Sequence, residues 1–225
     1  ALERKLKARG VDKDLSIRIA AAVDRASRFL VDRQAADGAF SALTGEDRSS
    51  GSWAVGSTLL CALALQKATS ASSETAIANA LNWAIQGTAG RRSLLERYTY
   101  IAGITLALIS DRPAYASVRT RLVNSLVAAQ DEATGWWGYD APGGDVDARY
   151  APAASTYHAL APNLSTSQYA ILGLRAAKRA GECVPPRVWS RHLDGLLRTQ
   201  TVSGSWPYAP PQAKGAGAPD AWGSV

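Results

Sequence analysis

Three times in this chain a stretch of helical apolar spacing ends at a glutamine, and a Gly-x-aromatic triplet follows within a few residues. The copies are Gln34 with Gly38-Ala39-Phe40, Gln130 with Gly135-Trp136-Trp137, and Gln200 with Gly204-Ser205-Trp206. Such a repeat constrains the fold strongly, because a supersecondary unit copied along a chain buries its apolar face against its own copies. The stretch before each glutamine reads as an amphipathic outer helix with a wet face, as at Ile19, Val23, Ala26 and Leu30 or at Trp189, Leu193, Leu196 and Leu197. Between them lie segments that are apolar on nearly every side, Trp53 to Leu65, Tyr98 to Ile109 and Gln168 to Ala177. This pattern places them inside. With no sustained two-residue alternation, the chain reads as all-α.

The inner segments align on Leu63-Ala64-Leu65, Leu106-Ala107-Leu108 and Leu172-Gly173-Leu174, and the small central residue predicts a close helix approach. A degenerate outer copy ends at Gln86 without the Gly-x-aromatic. The distance from glutamine to inner leucine is 29 residues in the first unit, 20 in the second and 42 in the third. The third therefore carries an insertion, Asp140 to Asn163, whose Pro, Gly and Ala content predicts a loop. Residues 1–14 read as an N-terminal extension and 207–225 as an irregular tail. The expected organisation is one domain over 1–225, with about three hairpins and a fourth outer helix that lacks an inner partner. That helix either caps the array or marks a piece of a longer protein.

The turn residues have physical reasons. Glutamine offers a carboxamide donor and acceptor to the orphan carbonyls of a helix end. Glycine accepts a backbone conformation that other residues resist, and the aromatic covers the seam between hairpins.

Composition agrees with a folded chain: 225 residues, 47% hydrophobic and 20% charged. The net charge of +6 is spread out, and its densest run, residues 3–9, includes an acid, so a nucleic-acid partner is not expected. Cys61 and Cys183 form neither a disulfide framework nor a metal-ligand spacing. No apolar run is long enough to span a membrane. Compartment stays open between cytoplasm and export after loss of a leader.

Arg25-Ala26-x-x-Phe29-Leu30-x-x-x-Gln34-x-x-x-Gly38-x-Phe40 resembles the QW motif of the prenyltransferase and squalene-oxidase repeat family, with Phe in place of the usual Trp. Leu126 to Trp137 and Leu196 to Trp206 resemble its second half with the Trp present. The resemblance, over about residues 15–208, implies an α/α toroid: a ring of helical hairpins in two layers, as in terpene cyclases, protein prenyltransferase β subunits and thioester-containing complement-type domains. Fold alone does not fix activity.

The chemistry such relatives use is incomplete here. The DxDD acid motif of class II cyclases is reduced to Asp145-Val146-Asp147-Ala148, and no DDxxD cluster or thioester motif is present. Cys183 and His192 with Glu182 or Asp194 lack the spacing of a prenyltransferase zinc site. His158 is a candidate base without a nameable partner. Asp145, Asp147 and His158 are thus weak catalytic candidates, and no metal or cofactor is expected. Trp53, Tyr98, Tyr100 and Tyr169, at the starts of inner helices, are candidate ligand-binding residues; Trp137, Tyr139, Trp206 and Tyr208 sit at the turns. The expected function is a non-catalytic terpene-cyclase-like repeat module that binds a hydrophobic or isoprenoid ligand or a protein partner. It would be an oligomer if another chain completes the ring. The alternative is a divergent cyclase or prenyltransferase-like enzyme, or a fragment of one whose catalytic residues lie outside this chain. A carbohydrate-active helical barrel ranks last, since its carboxylate pairs are not evident.

Overall fold

A computed structural model of the protein describes residues 2–40, 51–68, 73–87, 94–140 and 162–210. They are mostly helical, with no strand among the described residues apart from two isolated bridges, so the chain is all-α. None of their helices is long and apolar enough to cross a membrane. The helices are α1 (Leu2–Ala8), α2 (Lys13–Asp32), α3 (Ser52–Ala68), α4 (Glu74–Ile85), α5 (Thr99–Ile109), α6 (Ala116–Ala129), α7 (Leu164–Arg179) and α8 (Pro186–Thr199). A 3-10 turn, Pro113–Tyr115, leads into α6. The chain divides into two compact units, Ala1–Arg92 and Ser93–Val225.

In the first unit, α2 starts where the Asp12 carboxylate accepts the Leu15 N–H at 3.0 Å, an N-cap that supplies one of the orphan donors. The expected N-terminal extension is itself helical at α1. The core joins α3 to α4 through Val55, Leu59, Ala62, Ile77, Leu81 and Ala84, with Phe40 fully buried. The all-round burial expected of α3 is not found: Trp53, Leu60, Ala64 and Lys67 form an exposed stripe at helical spacing. Among the described residues Ala64 therefore mediates no close approach.

In the second unit α5 is buried on every side, as its composition requires. It crosses α7 at two glycines. A Cβ on Gly103 would overlap the Tyr169 carbonyl, and one on Gly173 would lie 2.7 Å from the Gly103 Cα. Only glycine lets the backbones meet. Gly173 thus acts as its Leu-small-Leu triplet suggests, while its partner Gly103 stands outside that alignment. Helix α7 buries one face, Thr166, Ala170, Gly173, Leu174 and Ala177, and leaves Leu172 exposed, so it is amphipathic and not buried all round. Asn163 caps it by accepting the Thr166 N–H at 2.9 Å. Of the predicted insertion, 141–161 lie outside the described residues; of the tail, 211–225 do.

The three turns share one geometry. The N–H after each glutamine donates to the carbonyl before the aromatic: Ala35 to Ala39, Asp131 to Trp136 and Thr201 to Ser205, at 2.8–2.9 Å. Each glycine N–H closes the loop onto the residue after the glutamine, and each glycine has positive φ: 98° at Gly38, 74° at Gly135 and 85° at Gly204. The glutamine Nε2 donates to that glycine's carbonyl, at 2.9 Å for Gln34 and Gln130 and 3.0 Å for Gln200. Gln34 also donates to the Ala76 carbonyl on α4 at 2.8 Å, and Gln130 to the Val188 carbonyl on α8 at 2.9 Å. Gln34 and Gln130 therefore tie their own turns to α4 and α8. The tryptophan indoles add a staple, Trp137 Nε1 to the Leu126 carbonyl at 2.7 Å and Trp206 Nε1 to the Leu196 carbonyl at 2.9 Å. Phe40, lacking an N–H on its ring, contributes burial alone.

Candidate functional site

The two tryptophan turns deliver a tyrosine each. Tyr139 and Tyr208 stand two residues after Trp137 and Trp206, and their backbone carbonyls accept the N–H groups of Thr99 and Leu164 at 2.9 Å. These are the first residues of α5 and α7, so each turn caps a helix N-terminus. The capping brings the phenol groups together: the Tyr139 and Tyr208 hydroxyls are 3.0 Å apart. From α5, Tyr100 stacks on Tyr139 with ring centroids 5.6 Å apart and lies 4.7 Å from Tyr169 of α7. Its hydroxyl bonds to Ser165. Four half-buried phenols and a serine thus converge near the N-terminal ends of α5 and α7.

A charged pair borders the cluster. Arg97 is 5% exposed, lies 5.4 Å from the Tyr98 ring centroid, and has a buried Nε without a hydrogen-bond partner. Burial pushes the Asp140 carboxyl above its usual range, and the Arg97 charge pulls it part of the way back. The backbones of Tyr98 and Asp140 form an isolated bridge.

Burial raises the Tyr100 phenol, with the Ser165 hydrogen bond opposing it. The hydrogen bond to Tyr208 raises Tyr139 most, followed by burial. Both stay protonated across the neutral range, where they donate and accept hydrogen bonds and offer ring faces. Because the folded-state values are raised, the associated stability is full below the free-tyrosine value of about pH 10 and is lost as pH rises through the folded values. A titration of tyrosinate absorbance should show a late-ionising group, reduced in Tyr139→Phe. A curve in which every tyrosine ionises with a midpoint near the free value of about pH 10 would contradict the cluster.

The other sequence candidates are distributed differently. Tyr100 and Tyr169 meet, Tyr98 stands at the edge beside Arg97, and Trp53 belongs to the first unit, 73% exposed on the first turn of α3. Asp145, Asp147 and His158 lie outside the described residues. The residues weighed as zinc ligands have separate structural uses: Glu182 pairs with Arg119 at 3.0 Å, and His192 rests on Trp137 with its Nδ1 3.3 Å from the Gly135 carbonyl. Burial lowers the His192 pKa, with that carbonyl opposing. Cys183 is exposed. Among the described residues no three His, Cys, Asp or Glu side chains group as metal ligands. Sequence reasoning missed Ser165, Arg97 and Asp140, and it left Tyr139 and Tyr208 out of the binding set although the Trp-x-Tyr spacing recurs in both turns.

Comparison with family models, with curated proteins and with solved structures gives no match.

Proposed function

We propose that this chain is a non-catalytic α/α-toroid repeat module of the QW type, and that its tyrosine cluster binds a hydrophobic small molecule carrying a polar group. The convergence of four phenols on two inner-helix N-termini carries this reading. Aromatic faces supply apolar contact at low entropy cost, and neutral hydroxyls orient an oxygen-bearing end. The same glutamine turn made three times, twice onto a second helix, supports the toroid.

The experiment is a titration of the whole chain with a long-chain prenyl alcohol, followed by intrinsic fluorescence. Saturable quenching is expected, and Tyr169→Ala should weaken binding about tenfold by removing one ring face. Absence of saturation would discard the ligand class. Turnover of a prenyl diphosphate by the purified chain would discard the non-catalytic reading.

A further inference from the structure

Two of the three glutamine turns hold a helix, and the way they hold it specifies what fits the third. Gln34 donates to the carbonyl of Ala76, the third residue of α4, and Gln130 to that of Val188, the third residue of α8. Three residues further along each helix the turn glycine meets backbone. A Cβ on Gly38 would lie 2.5 Å from the Asn79 carbonyl, and one on Gly135 would overlap that of Arg191. Seven residues along, the helix meets the turn again: Trp83 Nε1 donates to Asp37 at 3.0 Å, and Gly195 lies against the Thr134 carbonyl. The residue two after the glutamine also reaches the helix, since Glu132 pairs with Arg191 at 3.2 Å.

The third turn has the same loop and, among the described residues, nothing in the seat. Gln200 Nε2 bonds only its own Gly204, and a Cβ on Gly204 would meet nothing nearer than that nitrogen at 4.0 Å. Val202, at the position of Glu132, is fully exposed, and Leu193 and Leu197 on α8 are 55% and 62% exposed. Helix α2 has the complementary deficit. Its third residue, Leu15, is 47% exposed, where Ala76 and Val188 are 3% and 1%. Arg18 and Ala22, three and seven residues further on, are also exposed. An apolar first-turn residue, an arginine three on and a small residue seven on repeat the pattern of Val188, Arg191 and Gly195.

We infer that the third turn seats helix α2 of a second copy of this chain. Gln200 then donates to the Leu15 carbonyl, Gly204 packs on the Arg18 carbonyl, and Val202 faces the Arg18 side chain. The contact is heterologous, head to tail, so copies add to one another until the rotation closes a ring. It is the interface the chain already makes twice within itself, and it covers apolar surface on both partners.

Sedimentation of the whole chain over a range of concentrations tests the assignment. Wild type should gain mass with concentration. Leu15→Arg and Val202→Arg change exposed side chains, so folding, checked by circular dichroism, should persist. Each should weaken association about 100-fold, the first by burying a charge and the second by opposing Arg18. Val202→Glu, which copies the Glu132–Arg191 pair, should associate at least as well as wild type. Mixing the two arginine variants restores one intact interface per pair and should yield a one-to-one dimer. A wild type that stays monomeric to its solubility limit overturns the proposal. So do single variants that associate like wild type, or a mixture that stays monomeric.

Discussion

Gly135→Ala is expected to lower stability by about 2–5 kcal/mol, the sum of two separable costs. At φ 74° an L side chain pays roughly 1–2 kcal/mol for the left-handed region. The new methyl would also overlap the Arg191 carbonyl, which belongs to α8 and cannot yield without moving that helix. Overpacking against backbone costs about 1–3 kcal/mol more. The repeat contains its own control. Gly204 has φ 85° with open space around it, so in dilute protein Gly204→Ala should pay only the conformational part, about 1–2 kcal/mol. Gly38, whose added Cβ would lie 2.5 Å from the Asn79 carbonyl, should resemble Gly135. Urea midpoints for the three alanine variants measure the order. Equal losses would mean that the glycines serve the turn conformation alone and that the helix seat has no energetic weight.

The turns were the most legible part of this chain because each requirement maps to one residue type. A positive φ asks for glycine, two carbonyls in reach of one side chain ask for a carboxamide, and a hairpin seam asks for a large ring. Helix burial was less legible. In α5 nearly every residue is apolar or small, and the helix is buried throughout. In α3 composition is similar, yet one stripe from Trp53 through Leu60 and Ala64 to Lys67 faces solvent. An apolar helix carries no moment to point with, so its exposed side is set by where neighbours stand. The same reason misassigned Ala64: a small residue permits a close approach only where another helix arrives, and the crossing that occurs uses Gly103 and Gly173.

The candidate site divides along the same line. Tyr100 could be placed because it begins a helix whose register follows from the leucine alignment; Tyr169, expected at the start of its helix, stands in the second turn of α7, which begins at Leu164. Tyr139 and Tyr208 follow turns, where side-chain direction depends on backbone angles that no periodicity records. Their shared offset from a tryptophan was the only available sign. Arg97 and Asp140 gave none, since a single arginine before an apolar helix and a single aspartate after a tyrosine are common and acquire meaning only when a bridge joins their segments.

Arg119→Ala is expected to cost about 3 kcal/mol or more, because the guanidinium is a buried junction between two connections. Its Nε donates to Glu182 at 3.0 Å, and its Nη1 reaches the carbonyls of Ile109 at 3.3 Å and Arg112 at 3.2 Å. The two side chains are 10% and 13% exposed, so the pair is little screened. The arginine thereby satisfies the C-terminal end of α5 and fastens it to the segment linking α7 and α8, with Thr120 donating to the other Glu182 oxygen at 3.0 Å. Removing it takes one donor from each of three acceptors, which keep the Thr120 hydroxyl on Glu182 and the backbone N–H groups of Arg112 and Tyr115 on the two carbonyls. It also leaves a little-exposed carboxylate without its counter-charge, which is costlier than losing the attraction alone. Arg119→Lys should recover less than half of the loss, since an ammonium cannot span all three acceptors. In a cycle with Glu182→Ala, the double variant should be less destabilised than the sum of the singles by about 1–3 kcal/mol. Additive losses in thermal or urea unfolding would show that the two side chains act independently, and that the α5 end is held by packing rather than by this charge.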